Sequence, residues 1–113
     1  MKRLVVAGLL VGSIAVAVSL TANAAIDVDA AQSLAKRNDC FKCHAIDKAK
    51  KGPSYKKIAA KYKGKADGED KVIKNITTGP KVKLEDGSEE DHKIIDTKDP
   101  KELKNLAQWL LSL

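Results

Sequence analysis

The fold class predicted by the sequence is all-α: a small helical domain preceded by a removable leader. Three observations carry this. Apolar residues recur at three- and four-residue steps in several separate segments. Those segments are punctuated by capping residues and by Gly-Pro pairs. No βαβ pattern interrupts them.

The leader is read first. Met1-Lys2-Arg3 is followed by an uncharged, mostly apolar stretch to about Leu20 and then by Ala22-Asn23-Ala24. A basic n-region, an apolar h-region and a small-residue cleavage site are the layout of a secretory signal peptide. The apolar run lies at the short limit for a membrane span and is diluted by glycine and serine. Residues 1–24 are therefore expected to be a signal peptide, and residues 25–113 one domain of 89 residues. So short a chain buries little surface, and domains of this size often lean on a covalent or metal staple.

The helices follow in order. Asp29 is placed to cap a helix over about residues 30–38, with Ala31, Leu34 and Ala35 on one face. Residues 45–53 show no periodicity and end in Gly52-Pro53, a loop. Ser54 caps a second helix to about Tyr62, on which Tyr55, Ile58, Ala59 and Tyr62 share a face. The Gly64–Gly68 segment ends it. A third helix, about residues 69–77, carries Val72, Ile73 and Ile76 and stops at Gly79-Pro80. Residues 80–98 are a long, mostly acidic loop with room for a hairpin turn at Asp86-Gly87, and loops of that length tend to be functional. Asp99-Pro100-Lys101-Glu102 then gives an N-cap, a proline at N1 and a carboxylate at N3. The last helix bears the stripe Leu103, Leu106, Leu110 and Leu113.

Chemistry is concentrated in Cys40-Phe41-Lys42-Cys43-His44. Cys-x-x-Cys-His is the attachment sequence of a c-type haem: two thiols three residues apart reach the two vinyl groups of one porphyrin, and the adjacent histidine stands under the iron. A thioredoxin-like redox pair would need a βαβ context. A zinc site would need four ligands, and two cysteines and two histidines at these separations do not supply them. One haem c is the expected cofactor.

With the motif in place, the chain resembles the short bacterial class I cytochromes c. The resemblance runs from Cys40-x-x-Cys43-His44 through Gly52-Pro53-Ser54-Tyr55 and a helix ending near Thr78-Gly79 to a terminal Leu-x-x-Leu-Ala-x-Trp-Leu-Leu helix, and covers essentially all of residues 25–113. It implies the cytochrome c fold, about four short helices and loops around one haem wedged between the first and last helices, with electron transfer through an exposed haem edge. It further implies thioethers at Cys40 and Cys43 and a proximal iron ligand at His44. The carbonyl of Pro53 is implied as acceptor for the proximal imidazole, a bond that fixes its tautomer. Trp109 is implied as an aromatic packing near the haem, a role compatible with being an ordinary core tryptophan.

The distal side departs from that pattern. The resemblance implies a methionine in the loop ahead of the last helix, but the only methionine is Met1. That loop's only imidazole is His92, and it stands 17 residues before Trp109, near the spacing of the expected methionine. His92 is the leading candidate for the sixth ligand, since imidazole is a usual choice of haem iron. Lys93, Lys81 and Lys83 are the alternatives, each needing a depressed pKa. An open or water-bound site is the remaining one.

Charge sets the class of partner. The whole chain has 21 basic and 15 acidic residues, net +6; loss of Lys2 and Arg3 leaves +4. Eleven basic residues face two acidic ones between Lys36 and Lys65, whereas eleven acidic residues face seven lysines between Asp67 and Glu102. The basic half surrounds the haem motif and could steer an acidic redox partner. Nothing favours nucleic acid, for which no series of stacking aromatics is present.

The reading from sequence is thus a periplasmic monohaem cytochrome carrying single electrons between redox partners. It is expected to be bis-histidine ligated and of lowered potential, and to be a carrier rather than an enzyme, with no catalytic residue. The alternative is a haem-based binder or sensor of NO, CO or O2 with a labile or absent sixth ligand.

Overall fold

The computed structural model describes residue 8, residues 12–17 and residues 25–113. The cleavage point after Ala24 lies outside the described residues. Among them, no helix is long and apolar enough to cross a membrane.

Five helices and one small hairpin are found among the described residues: α1 (Val28–Arg37), α2 (Cys40–Cys43), α3 (Tyr55–Tyr62), α4 (Gly68–Thr78), β1 (Lys81–Lys83), β2 (Glu89–Asp91) and α5 (Pro100–Leu111). The architecture is mostly helical, as expected, with two corrections. The single turn α2 stands apart from α1, because Asn38 caps α1 and Asp39 adopts a left-handed conformation at φ 58°. The long acidic loop contains an antiparallel ladder pairing Lys81 with Asp91, Val82 with Glu90 and Lys83 with Glu89.

Local chemistry explains most boundaries. The Asp27 carboxylate, and not that of Asp29, accepts from the Ala30 N–H at the start of α1. Asp29 falls in the first turn, where a carboxylate is favoured by the helix dipole. Ser54 Oγ accepts from the Lys57 N–H and starts α3. Gly79, at φ 63°, closes α4 in the left-handed conformation typical of a glycine cap. Asp99 caps α5 by accepting from the Lys101 N–H, with Pro100 in the first turn. Glu102 does not close a capping box; its carboxylate accepts from the Thr97 hydroxyl, and Thr97 Oγ1 accepts the Asp99 N–H.

The core lies where α1, α3 and α4 pack on α5. Ala31 and Ala35 of α1 and Ala107 of α5 are almost fully buried, and these small side chains let the two helices approach closely. Asn105 stitches the pair at one end: its side chain accepts from the Asp27 N–H and donates to the Asp27 carbonyl. Leu34, Leu103, Leu106, Trp109 and Leu110 complete the apolar centre, with Tyr55 and Val72 from α3 and α4. Leu113, predicted to share the α5 stripe, lies just past the helix end and packs on the core only in part.

Candidate haem site

A cavity of about 590 Å3 opens between α2, the loop after it, α3, α4 and the hairpin. That is within the range of cofactor sites, about 300–1,000 Å3. Ile58, Val72, Ile76, Val82, Ile95, Leu106 and Leu110 contribute apolar walls. Cys40, Cys43 and His44 all line it, and so does His92 from the distal segment.

The cysteine motif is presented by a single helical turn. An i, i+3 spacing puts Cys40 and Cys43 on one face of α2, and both are free, partly buried thiols. Burial pushes the Cys40 thiol above its ordinary pKa. The chain then turns extended at His44 and forms a short bridge between His44 and Ala49.

His44 is fixed from several sides. Its Nδ1 lies 2.6 Å from the Pro53 carbonyl, so the neutral ring donates there and leaves Nε2 free. Burial is the main cause that lowers its pKa, opposed by the bond to Pro53. The Tyr55 ring stacks on the imidazole with centroids 5.2 Å apart and planes at 21°. Behind it, Gly52 must be glycine: a Cβ there would stand 2.9 Å from His44 Cε1. The Gly52 N–H also donates to the Cys43 carbonyl, closing the loop beneath the ring.

The distal segment is built from the other side. The His92 N–H donates to the Pro80 carbonyl and the Ile95 N–H to the Ile76 carbonyl, which dock this segment on the end of α4. Gly79 allows the contact, since a Cβ would meet Ile94 Cγ1 at 2.9 Å and the His92 carbonyl at 3.1 Å. His92 Nδ1 lies 2.9 Å from the Lys93 carbonyl. Each histidine therefore engages a carbonyl through Nδ1, and the two imidazole centroids lie 6.2 Å apart across the site.

The structure thus brings together Cys40, Cys43, His44, Pro53 and His92 from two ends of the chain. Of the lysines weighed as alternatives, Lys83 and Lys93 line the cavity, whereas Lys81 pairs with Asp91 in the hairpin. Trp109 is not among the described residues that line the cavity. It is buried in the core and meets the edge of Tyr55 at 5.7 Å, one residue removed from the site. Tyr55, which the sequence places on a helix face and in the Gly52-Pro53-Ser54-Tyr55 run of the resemblance, is the aromatic that stacks on the His44 ring. The hydroxyl of Tyr55 is pushed well above its ordinary pKa by burial and stays protonated.

Comparison with known proteins agrees with this geometry. Residues 28–113 match the family model described as cytochrome c. The chain belongs to the cytochrome c family. It is 32% identical over 82 residues to cytochrome c-551 of Pseudomonas denitrificans, covering 73% of this chain and 95% of the relative. It is 33% identical over 82 residues to cytochrome c-552 of Hydrogenobacter thermophilus, covering 73% of this chain and 80% of that one. Among solved structures, the class 1 cytochrome MtoD from Sideroxydans lithotrophicus ES-1 superposes with a TM-score of 0.74 at 60% identity, covering 78% of this chain and 97% of that chain. This cytochrome accordingly binds one covalently attached haem c and is a small electron carrier. The residues fit that group: two thiols one turn apart, an oriented imidazole beside them and an apolar cavity next to all three.

Proposed function

We propose that this cytochrome is a bis-histidine electron carrier of the bacterial periplasm, with thioethers at Cys40 and Cys43, His44 as proximal and His92 as distal iron ligand. The 6.2 Å separation of the two imidazole centres carries the reading. Two imidazoles bound through Nε2 on opposite sides of one metal, each about 2.0 Å away, have ring centres roughly 6.3 Å apart. Both Nδ1 atoms are committed to backbone carbonyls, which leaves both Nε2 atoms for the metal.

Haem supplies reversible one-electron chemistry when bound; the chain's own residues determine its environment. Pro53 and Lys93 hold the two rings by their Nδ1–H groups. Apolar side chains line much of the cavity, and a ligand pair held by these carbonyls would change geometry little between the two oxidation states, so little reorganisation would oppose transfer. Imidazole donates more strongly than the methionine thioether, which raises potentials in His/Met cytochromes. A potential below that of such relatives follows, suited to moderate acceptors.

The partner docks electrostatically in this reading. Lys42, Lys61, Lys83 and Lys93 stand at the cavity beside Asp39, Glu90 and Asp91, so the excess of positive charge comes from the wider run from Lys36 to Lys65 that surrounds the attachment motif. An acidic partner surface complements them. The leader-like residues 1–24 support export before haem attachment.

The test is an absorption spectrum of the purified haem-loaded protein. A six-coordinate low-spin spectrum is expected, with CO binding to the reduced form slow or absent. His92→Ala is expected to fold, turn high-spin and bind CO promptly. A low-spin spectrum unchanged in H92A would overturn the ligand assignment. Prompt CO binding by the unmodified protein would instead indicate a gas-binding protein with an open or labile distal position.

A further inference from the structure

The segment that carries His92 is tied to the residues that precede Cys40 by a polar clamp beside the cavity. Asn38 is 2% exposed, the only buried polar residue of the described core. Its Oδ1 accepts the Asp96 N–H at 2.9 Å, and its Nδ2 donates to Asp96 Oδ1 at 3.0 Å and to the Leu34 carbonyl at 2.9 Å. Both ends of the amide are thereby satisfied. Arg37 adds a two-pronged contact to the same carboxylate, Nε to Oδ2 at 3.1 Å and Nη2 to Oδ1 at 3.3 Å. One residue further along, Asp39 pairs with Lys93 at 3.7 Å. Residues 37–39 and 93–96 are fifty-odd positions apart in sequence, yet they form one network flanking both the haem-attachment turn and the distal histidine.

We propose that Asn38 and Asp96 are positioning residues for the distal ligand, holding His92 over the iron so that it stays bound in both oxidation states. The inference rests on His92 being that ligand. The physical reason is a difference in reference state. If only the metal held the imidazole, release would free the whole loop and gain its conformational entropy. With the backbone on the far side of His92 pinned at Asp96 and the near side pinned at Pro80, the released imidazole has nowhere to go and rebinds. The population of an open iron, and hence the apparent affinity for an exogenous ligand, falls by the same factor. A network with a buried, fully bonded amide at its centre is well suited to this, because slipping the loop would leave the buried Asn38 Oδ1 without its donor.

CO binding to the reduced, haem-loaded protein is the readout. Asp96→Ala removes the carboxylate from Asn38 and Arg37, and is expected to raise CO affinity about tenfold, the low end for a charged hydrogen bond because the Asp96 side chain is half exposed. Asp96→Asn keeps the acceptor for Asn38 and is expected to return the affinity most of the way to the original. Asp27→Ala, which removes the cap of α1 at its far end, lowers stability without touching the clamp and is expected to leave CO affinity unchanged. The decisive comparison is in an H92A background, where Asp96→Ala should have no effect. If D96A changes CO binding equally with and without His92, or not at all while the resting spectrum remains bis-imidazole, the clamp is overturned and the ligand assignment stands. A resting spectrum without distal imidazole would sink the ligand assignment itself.

Discussion

At the scale of single residues, the proximal side of the site depends on an atom that is missing. Gly52 packs against the His44 ring so closely that one added methyl group would approach Cε1 to 2.9 Å. Neither neighbour can easily give: the ring is held by the Pro53 carbonyl on one side and stacked on Tyr55 on another. Gly52→Ala is therefore expected to tilt or shift the imidazole. Overpacking of this kind costs about 1–3 kcal/mol. The check is thermal unfolding of the haem-loaded protein together with its visible spectrum; a variant with unchanged stability and Soret band would refute the argument. The clamp residues Asn38 and Asp96 act at the same scale on the opposite side, through bonds to the distal segment.

At the scale of elements, two helices and a hairpin divide the work. α1 and α5 build the platform, and their closeness rests on Ala31, Ala35 and Ala107, none more than 1% exposed. Ala107→Leu should force them apart and lower stability by about 1–3 kcal/mol, read in denaturant unfolding as a lower midpoint at unchanged slope. The hairpin of β1 and β2 serves differently. Its turn docks on the proximal loop through the Glu85 N–H to the Lys51 carbonyl, and its far strand leads straight into His92. It spans the cavity mouth from the proximal to the distal side. Sequence reading saw Asp86-Gly87 as a turn, and Gly87 is indeed at φ 86°. The strands themselves are not legible in the sequence because Lys-Val-Lys is too short to show a period, with Val82 its one half-buried residue, and Glu-Glu-Asp is exposed throughout and poor in β-propensity. Tertiary context holds them: opposite charges face each other across the ladder, with Lys81 pairing Asp91 at 3.2 Å.

At the scale of the whole molecule, charge asymmetry governs encounter. Two lysines of the basic half are neutralised locally, Lys42 by Asp39 and Lys56 by Asp47, but these are exposed pairs of small energetic weight. Lys48, Lys51, Lys57, Lys61, Lys63 and Lys65 have no ion-pair partner among the described residues. Electron-transfer rates with an anionic oxidant such as ferricyanide are expected to fall as salt rises from about 10 mM to 0.15 M, where the Debye length shrinks from roughly 30 to 8 Å. Reversing Lys57 and Lys61 to glutamate should flatten that dependence. Stopped-flow rates at a series of ionic strengths decide it, and a salt-independent rate would remove the docking argument.

Sequence alone determined whatever depends on neighbours along the chain. The Cys40-x-x-Cys43-His44 motif, the caps at Ser54, Gly79 and Asp99, and the α5 stripe as far as Leu110 are local and legible in the sequence, although the cap of α1 falls on Asp27 rather than Asp29 and the separate α2 turn is not legible there. It also marks His92 as a candidate, by the lack of a methionine in that loop, by its being the loop's only imidazole and by its spacing before Trp109. The tertiary structure alone decided that His92 and His44, 48 positions apart in the chain, approach to 6.2 Å between ring centres, that Tyr55 stacks on the His44 ring, and that Asn38 is bonded to Asp96. These are long-range pairings, fixed by how α1, α4 and α5 pack and by where the acidic hairpin lands. No periodicity encodes them, because the free energy that selects them comes from burial and from closing hydrogen bonds between segments, which exists only after the chain has folded.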